Sequence, residues 1–72
     1  MQYIRIEHLR IDNDYSQIYV ARYLGIAREV YRRYEKGIRS VPVDILVKLA
    51  DLYDTSTDYI LERTDIKKRA LG

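Results

Sequence analysis

The chain contains no cysteine, which excludes a disulfide framework and any thiolate metal site. Its single histidine, His8, cannot build a zinc site unless several carboxylates converge on it. Neither metal nor cofactor is therefore expected, and His8 is read as a surface residue. No apolar run approaches the roughly 20 residues of a membrane span. The opening MQYIRIEHLR is charged where a signal peptide would carry an apolar core. These absences predict a cytoplasmic protein with no membrane partner. Paired carboxylates, a nucleophile–base set and a glycine-rich phosphate loop are also missing, so an enzyme is not expected. RNA binding ranks low as well, because the aromatic platforms of single-strand readers have no counterpart.

Tryptophan and phenylalanine are absent, but there are eight tyrosines. The core must then be aliphatic plus tyrosine, whose ring can be buried while its hydroxyl reaches a polar partner. Most tyrosines are expected inside, with Tyr19 and Tyr23 at the surface. The 72 residues make one domain, and a chain this short buries only about 60% of its unfolded surface. A separate sensor or oligomerisation domain is not expected.

The net charge of +2 hides an uneven distribution. Between Arg28 and Arg39 five basic residues face two acidic ones, a net +3. Between Asp44 and Asp65 six acidic residues face two basic ones, a net −4. One part of the chain suits a polyanion and another does not, which argues for an oriented nucleic-acid contact. Charge alone leaves open that the basic cluster is only a solvated helix face.

Punctuation divides the chain into five helical stretches and no sheet is expected. The first runs roughly from Tyr3 to Asn13, with Tyr3, Ile6 and Leu9 at helical spacing and Ile4 and Ile11 off that stripe. The second opens on Ser16, a good N-cap, with Tyr15 and Val20 as a hydrophobic staple. It stops at Gly25, where a left-handed residue is needed. The third runs from Arg28 to about Lys36 and ends at Gly37. Its cap position holds Ala27, and lack of a capping side chain costs about 1 kcal/mol. The fourth begins near Pro42, read as a first-turn residue, and carries Ile45, Leu46, Leu49, Ala50 and Tyr53 as its apolar stripe. The fifth opens on Ser56 and carries Tyr59, Ile60 and Leu61. From Thr64 onward periodicity is lost. The domain is placed at residues 1–65, and residues 66–72 are read as a basic, disordered tail.

The segment SQIYVARYLGIAREVYRRYEKG, residues 16–37, reads as helix, glycine-containing turn, helix. Ala21 supplies the small side chain that close approach of two helices needs, Gly25 starts the turn, and Ile26 plugs the angle. This is a helix-turn-helix, whose second helix enters the DNA major groove. On that second helix Tyr31 and Tyr34 point one way, and Arg28, Glu29, Arg32 and Arg33 the other.

Further pieces extend the pattern: IRIEHLR at the start, SQ, LGI, YRRYEKG, then VPVDILVKLADLY and TSTDYILERTD. In this order and spacing, from Ile4 to Asp65, the sequence resembles the phage repressor/Cro type of helix-turn-helix domain, the XRE family. The resemblance implies an all-α, compact five-helix, lambda-repressor-like domain. Its expected partner is a double-stranded DNA operator with two-fold-related half-sites, bound by a homodimer acting as a transcriptional regulator, in the leading reading a repressor.

Carried over by position, the resemblance implies that Arg28, Glu29, Val30, Arg32 and Arg33 read base edges. Arg32 reaches either a base or a phosphate, and Val30 is either a thymine-methyl contact or partial core. Ser16 and Gln17 would hold a phosphate at a positive helix end. Lys36, Arg39 and Ser40 would grip the backbone beyond the reading helix. Arg10 and Glu35 match an internal ion pair of some members. Two departures stand out. Ala27 replaces a usual Ser or Thr, and Thr55 replaces an apolar residue, which predicts a looser lead into the fifth helix. The dimer contact is expected around Thr57 to Leu61. The alternative function is an antitoxin or adaptor module whose main partner is another protein.

Overall fold

Five helices form where the sequence signals place them: α1 Ile4–Asp12, α2 Gln17–Leu24, α3 Arg28–Lys36, α4 Val43–Leu52 and α5 Thr57–Ile60. The computed structural model describes residues 3–68, and no strand occurs among them. The helix starts follow their caps. Ser16 Oγ accepts the Tyr19 N–H at 3.0 Å ahead of α2, and Ser56 Oγ accepts the Tyr59 N–H at 3.0 Å ahead of α5. Ala27 provides no side-chain acceptor for α3, as its methyl dictates. Pro42 is the N-cap of α4 rather than a first-turn residue, with an extended ψ of 154°.

All five helices end in one kind of reversal. Beyond α2, Gly25 sits at φ 72°, its N–H bonds to Arg22 O, and the Ile26 N–H bonds back to Ala21 O at 3.0 Å. Gly37 repeats this after α3 at φ 74°, with the Ile38 N–H on Arg33 O at 3.0 Å. The paired bonds define the Schellman motif. The other three helices make it without glycine, through Asp14 at φ 58°, Asp54 at φ 50° and Glu62 at φ 61°. There the Tyr15, Thr55 and Arg63 amides bond back to the carbonyls of Arg10, Ala50 and Asp58.

The helices enclose a single core. Ile6 and Leu9 of α1, Val20, Ala21 and Leu24 of α2, and Tyr31 and Tyr34 of α3 meet Ile45, Leu46, Leu49 and Ala50 of α4 and Ile60 of α5, with Val41 and Tyr53 from the connections. Ile4 and Ile11 stay exposed at 42% and 55%, as their place off the α1 stripe requires. Tyr31, Tyr34 and Tyr53 are buried, while Tyr19 and Tyr23 lie at the surface. Tyr3, Tyr15 and Tyr59 are half-buried against the core. Tyr15 stacks on Tyr53 with ring centroids 6.1 Å apart. His8 is exposed.

Thr55 corrects an expectation. It is fully buried, and its hydroxyl donates to the Lys67 carbonyl. The lead into α5 is therefore tied down, because the polar group there has found a partner. The same bond holds part of the expected tail. Arg5 in α1 donates to the carbonyls of Tyr59 at 2.8 Å and Thr64 at 2.6 Å. It also pairs with Asp65 and lies over the Tyr59 ring, 4.1 Å from the centroid. Residues 69–72, the rest of that tail, lie outside the described residues.

Candidate nucleic-acid interface

The orientation of α3 follows from what it buries. Tyr31, Tyr34 and Glu35 are its inward residues, which leaves Arg28, Glu29, Arg33 and Lys36 exposed on the opposite side. Arg32 is half-buried, and Val30 is partly buried against the core. Val30 thus serves as core on one side while its other side borders the exposed face. α2 packs closely against α3 across Ala21, which is 2% exposed. A larger side chain there would force the helices apart at a cost of about 1–3 kcal/mol.

Glu35 is the buried anchor of the arrangement. Its side chain is 0% exposed, and Arg10 Nε lies 2.6 Å from Oε2. The Arg10 NH2 group reaches Oε1 at 3.3 Å, and NH1 donates to the Tyr15 carbonyl at 3.0 Å. The Gln17 amide donates to Oε1 at 3.1 Å. One carboxylate therefore joins α1, the start of α2 and α3. Burial pushes its pKa up, but the bonds from Arg10 and Gln17, with the Tyr31 hydroxyl nearby, outweigh burial, and the net direction is down. Arg10 moves up in response, chiefly through its bond to Glu35. The Tyr31 and Tyr53 hydroxyls are buried without a partner in good hydrogen-bond geometry. Burial above all, with the neighbouring Glu35 carboxylate adding to it, pushes both phenols well above their usual range.

The expected ion pair of Arg10 and Glu35 is thus present, while the bond from Gln17 was not anticipated. A primary amide carries two N–H bonds, so Gln17 can serve Glu35 with one and an anion with the other. Ser16 spends its acceptor oxygen on the Tyr19 amide and keeps its hydroxyl proton as a donor. Arg28, Lys36 and Arg39 are exposed and enter no ion pair among the described residues. Ser40 is exposed beside them. Glu29 is engaged: Arg32 NH2 lies 2.8 Å from its Oε1, Arg32 Nε lies 3.2 Å from Oε2, and Arg33 Nε lies 3.5 Å from Oε1. The bond from Arg32 draws the Glu29 carboxyl below its ordinary value.

The expected dimer contact is less available than the sequence implied. Ile60 is fully buried and Tyr59 lies under Arg5. Thr57, Asp58 and Leu61 keep exposed or half-exposed surface. No group of His, Cys, Asp and Glu among the described residues could hold a metal. None of the described helices is long and apolar enough to cross a membrane.

Known proteins share this arrangement. A solved structure titled as a SinR protein/SinI protein complex superposes with a TM-score of 0.76 at 25% identity, over 86% of this chain and 61% of that one. The HTH-type transcriptional regulator AnsR of Bacillus subtilis is 41% identical over 66 residues, covering 92% of this chain and 57% of that protein. ImmR of the same organism, also an HTH-type transcriptional regulator, is 34% identical over 65 residues, 90% of this chain and 51% of its own length. The transcriptional repressor RstR of the cryptic phage CTXphi in Vibrio cholerae is 37% identical over 49 residues, 68% of this chain and 44% of its own. The chain thus spans about half the length of the curated relatives it matches. A family model described as helix-turn-helix matches residues 6–60, a range that contains α2, the Gly25 turn and α3 whole, and the chain belongs to that helix-turn-helix family.

Proposed function

We propose that the protein is a sequence-specific double-stranded DNA-binding transcriptional regulator, a repressor of the cytoplasm that acts as a homodimer and catalyses no reaction. The observation that carries this reading is the exposed face of α3, with its arginines turned outward because Tyr31, Tyr34 and Glu35 are turned in. A helix held this way fits the major groove, where arginine reads guanine through two hydrogen bonds. Arg28, Glu29, Val30, Arg32 and Arg33 lie along or beside that face and take the base edges. Ser16 and Gln17 at the start of α2, with Lys36, Arg39 and Ser40 beyond α3, take phosphates on either side. One such helix covers about half a site, so two copies on two-fold-related half-sites complete the contact.

Two observations favour a second reading, a module whose main partner is another protein. The solved neighbour is titled as a complex of two proteins, and α2 here exposes Ile18, Tyr19 and Tyr23. Selection of bound duplexes from a random library separates the two. Enrichment of a motif repeated with two-fold symmetry about one helical turn apart is expected. A pool with no enriched motif, together with binding that salt does not weaken, would favour the protein partner.

A further inference from the structure

The recognition face carries its own counterion. Glu29 stands in the first turn of α3, and Arg32 and Arg33 follow it at i+3 and i+4. Arg32 meets both carboxylate oxygens, at 2.8 Å and 3.2 Å. Arg33 approaches one of them at 3.5 Å. Arg28 stands one residue before Glu29 and is paired with nothing among the described residues, as are Lys36 and Arg39. The basic face is thus divided into cations already held and cations at liberty.

A phosphate backbone attracts an arginine wherever it lies along the duplex, so free cations raise affinity for every sequence alike. A cation already paired must exchange its carboxylate for a phosphate before it contributes, and on an exposed surface the two exchanges nearly balance. A planar guanidinium fixed by two bonds is also held in one rotamer. Both effects act in the same direction.

We infer that Glu29 is a specificity-determining residue which, by holding Arg32 and Arg33 along the reading face, withholds their charge from non-specific DNA. The inference rests on the DNA-binding reading above and adds to it a positioning role for a carboxylate. Lys36 and Arg39 carry the sequence-independent attraction, while Arg32 and Arg33 are released only where a fitting base replaces what Glu29 supplies.

Glu29→Gln tests this, since the residue is half-exposed and glutamine keeps the helix. Binding of the wild type, Glu29→Gln, Arg32→Gln and the double variant is measured on the selected operator and on a scrambled duplex across a salt series. Circular dichroism checks that each is folded. Glu29→Gln is expected to bind the scrambled duplex about three- to tenfold more tightly at low salt, with a salt slope steeper by about one unit per arginine released. Its preference for operator over scrambled duplex falls accordingly. Arg32→Gln is expected to cost more non-specific affinity in the Glu29→Gln background than in the wild type. Equal gains from Glu29→Gln with and without Arg32, at unchanged slope, would reduce its effect to lost repulsion and overturn the inference. Unchanged non-specific affinity would overturn it too. Failure of every variant to bind either duplex would instead defeat the DNA-binding reading beneath it.

Discussion

Arg10 and Glu35 are joined at two points, Nε to Oε2 at 2.6 Å and NH2 to Oε1 at 3.3 Å, with the carboxylate fully buried. Removing one partner of such a pair strands the other away from water, at about 3–5 kcal/mol for complete burial. Arg10 keeps 15% of its side chain exposed, which places the loss near the lower end of that range. Glu35→Gln is expected to cost about 3 kcal/mol at neutral pH, read by chemical denaturation. The pH dependence has a definite sign. The folded-state pKa of Glu35 lies below its ordinary 4.5, so its contribution is complete above that value and is lost as pH falls through the folded value. The gap between wild type and Glu35→Gln should therefore close on acidification below 4.5. A gap that persists unchanged would assign the stability to packing alone.

The left-handed residues give two substitutions of opposite sign. A Cβ at Gly25 would meet nothing within 4 Å, so Gly25→Ala costs only backbone strain, about 1–2 kcal/mol. Glu62 already bears that strain at φ 61°. Glu62→Gly is expected to stabilise by about 0.5–1 kcal/mol, after allowance for the greater freedom of glycine in the unfolded chain. Thermal melting of both variants checks the pair. A Glu62→Gly protein that melts lower than wild type would show that the side chain contributes more than its backbone costs.

Ala27 has the extended geometry of an N-cap, φ −69° and ψ 146°, without a capping oxygen. Ala27→Ser should accept an amide of the first turn of α3 as Ser16 does for α2, and add about 1 kcal/mol. For a domain of this size that is about 4–8 °C in Tm. An unchanged Tm would mean that water already caps this turn equally well.

Arg28 and Lys36 stand at opposite ends of α3 and should fail differently. Arg28→Ala is expected to cost about 1–3 kcal/mol per half-site on the operator and to relax discrimination at one base pair. Lys36→Ala should weaken binding to all duplexes alike and flatten the salt slope by about one unit. Titrations on operator and scrambled duplex across a salt series distinguish them. Equal losses on both duplexes for Arg28→Ala would make it a phosphate clamp.

The sequence was most informative where one residue type has one physical use. Ser16 and Ser56 cap, Gly25 and Gly37 stop, and α3 runs from Arg28 to Lys36 as those signals require. Aspartate and glutamate carry no comparable stop signal, so the reversals at Asp54 and Glu62 were not legible, and α5 closed after Ile60. Links between distant residues were legible only through resemblance. Arg10 and Glu35 were found that way, while the Gln17 bond to Glu35, across 18 positions, and the Arg5 bond to Thr64, across 59, left no local trace. The pairing of Glu29 with Arg32 lies within one helical turn and follows from i+3 spacing, yet positional analogy alone had given both residues the same task.

The five reversals also bear on how quickly the chain finds this structure. Each is closed by bonds between residues no more than five positions apart, so a helix boundary can be settled before any neighbour has packed. Search time grows with the separation between residues that must meet, and helical domains dominated by local contacts fold in microseconds to milliseconds. Refolding of the main population within milliseconds is the expected behaviour. A dominant phase of seconds in stopped-flow tyrosine fluorescence, beyond the minor population delayed by isomerisation of the Val41–Pro42 bond, would show that a long-range step, such as the seating of Arg5 against Thr64, limits the rate instead.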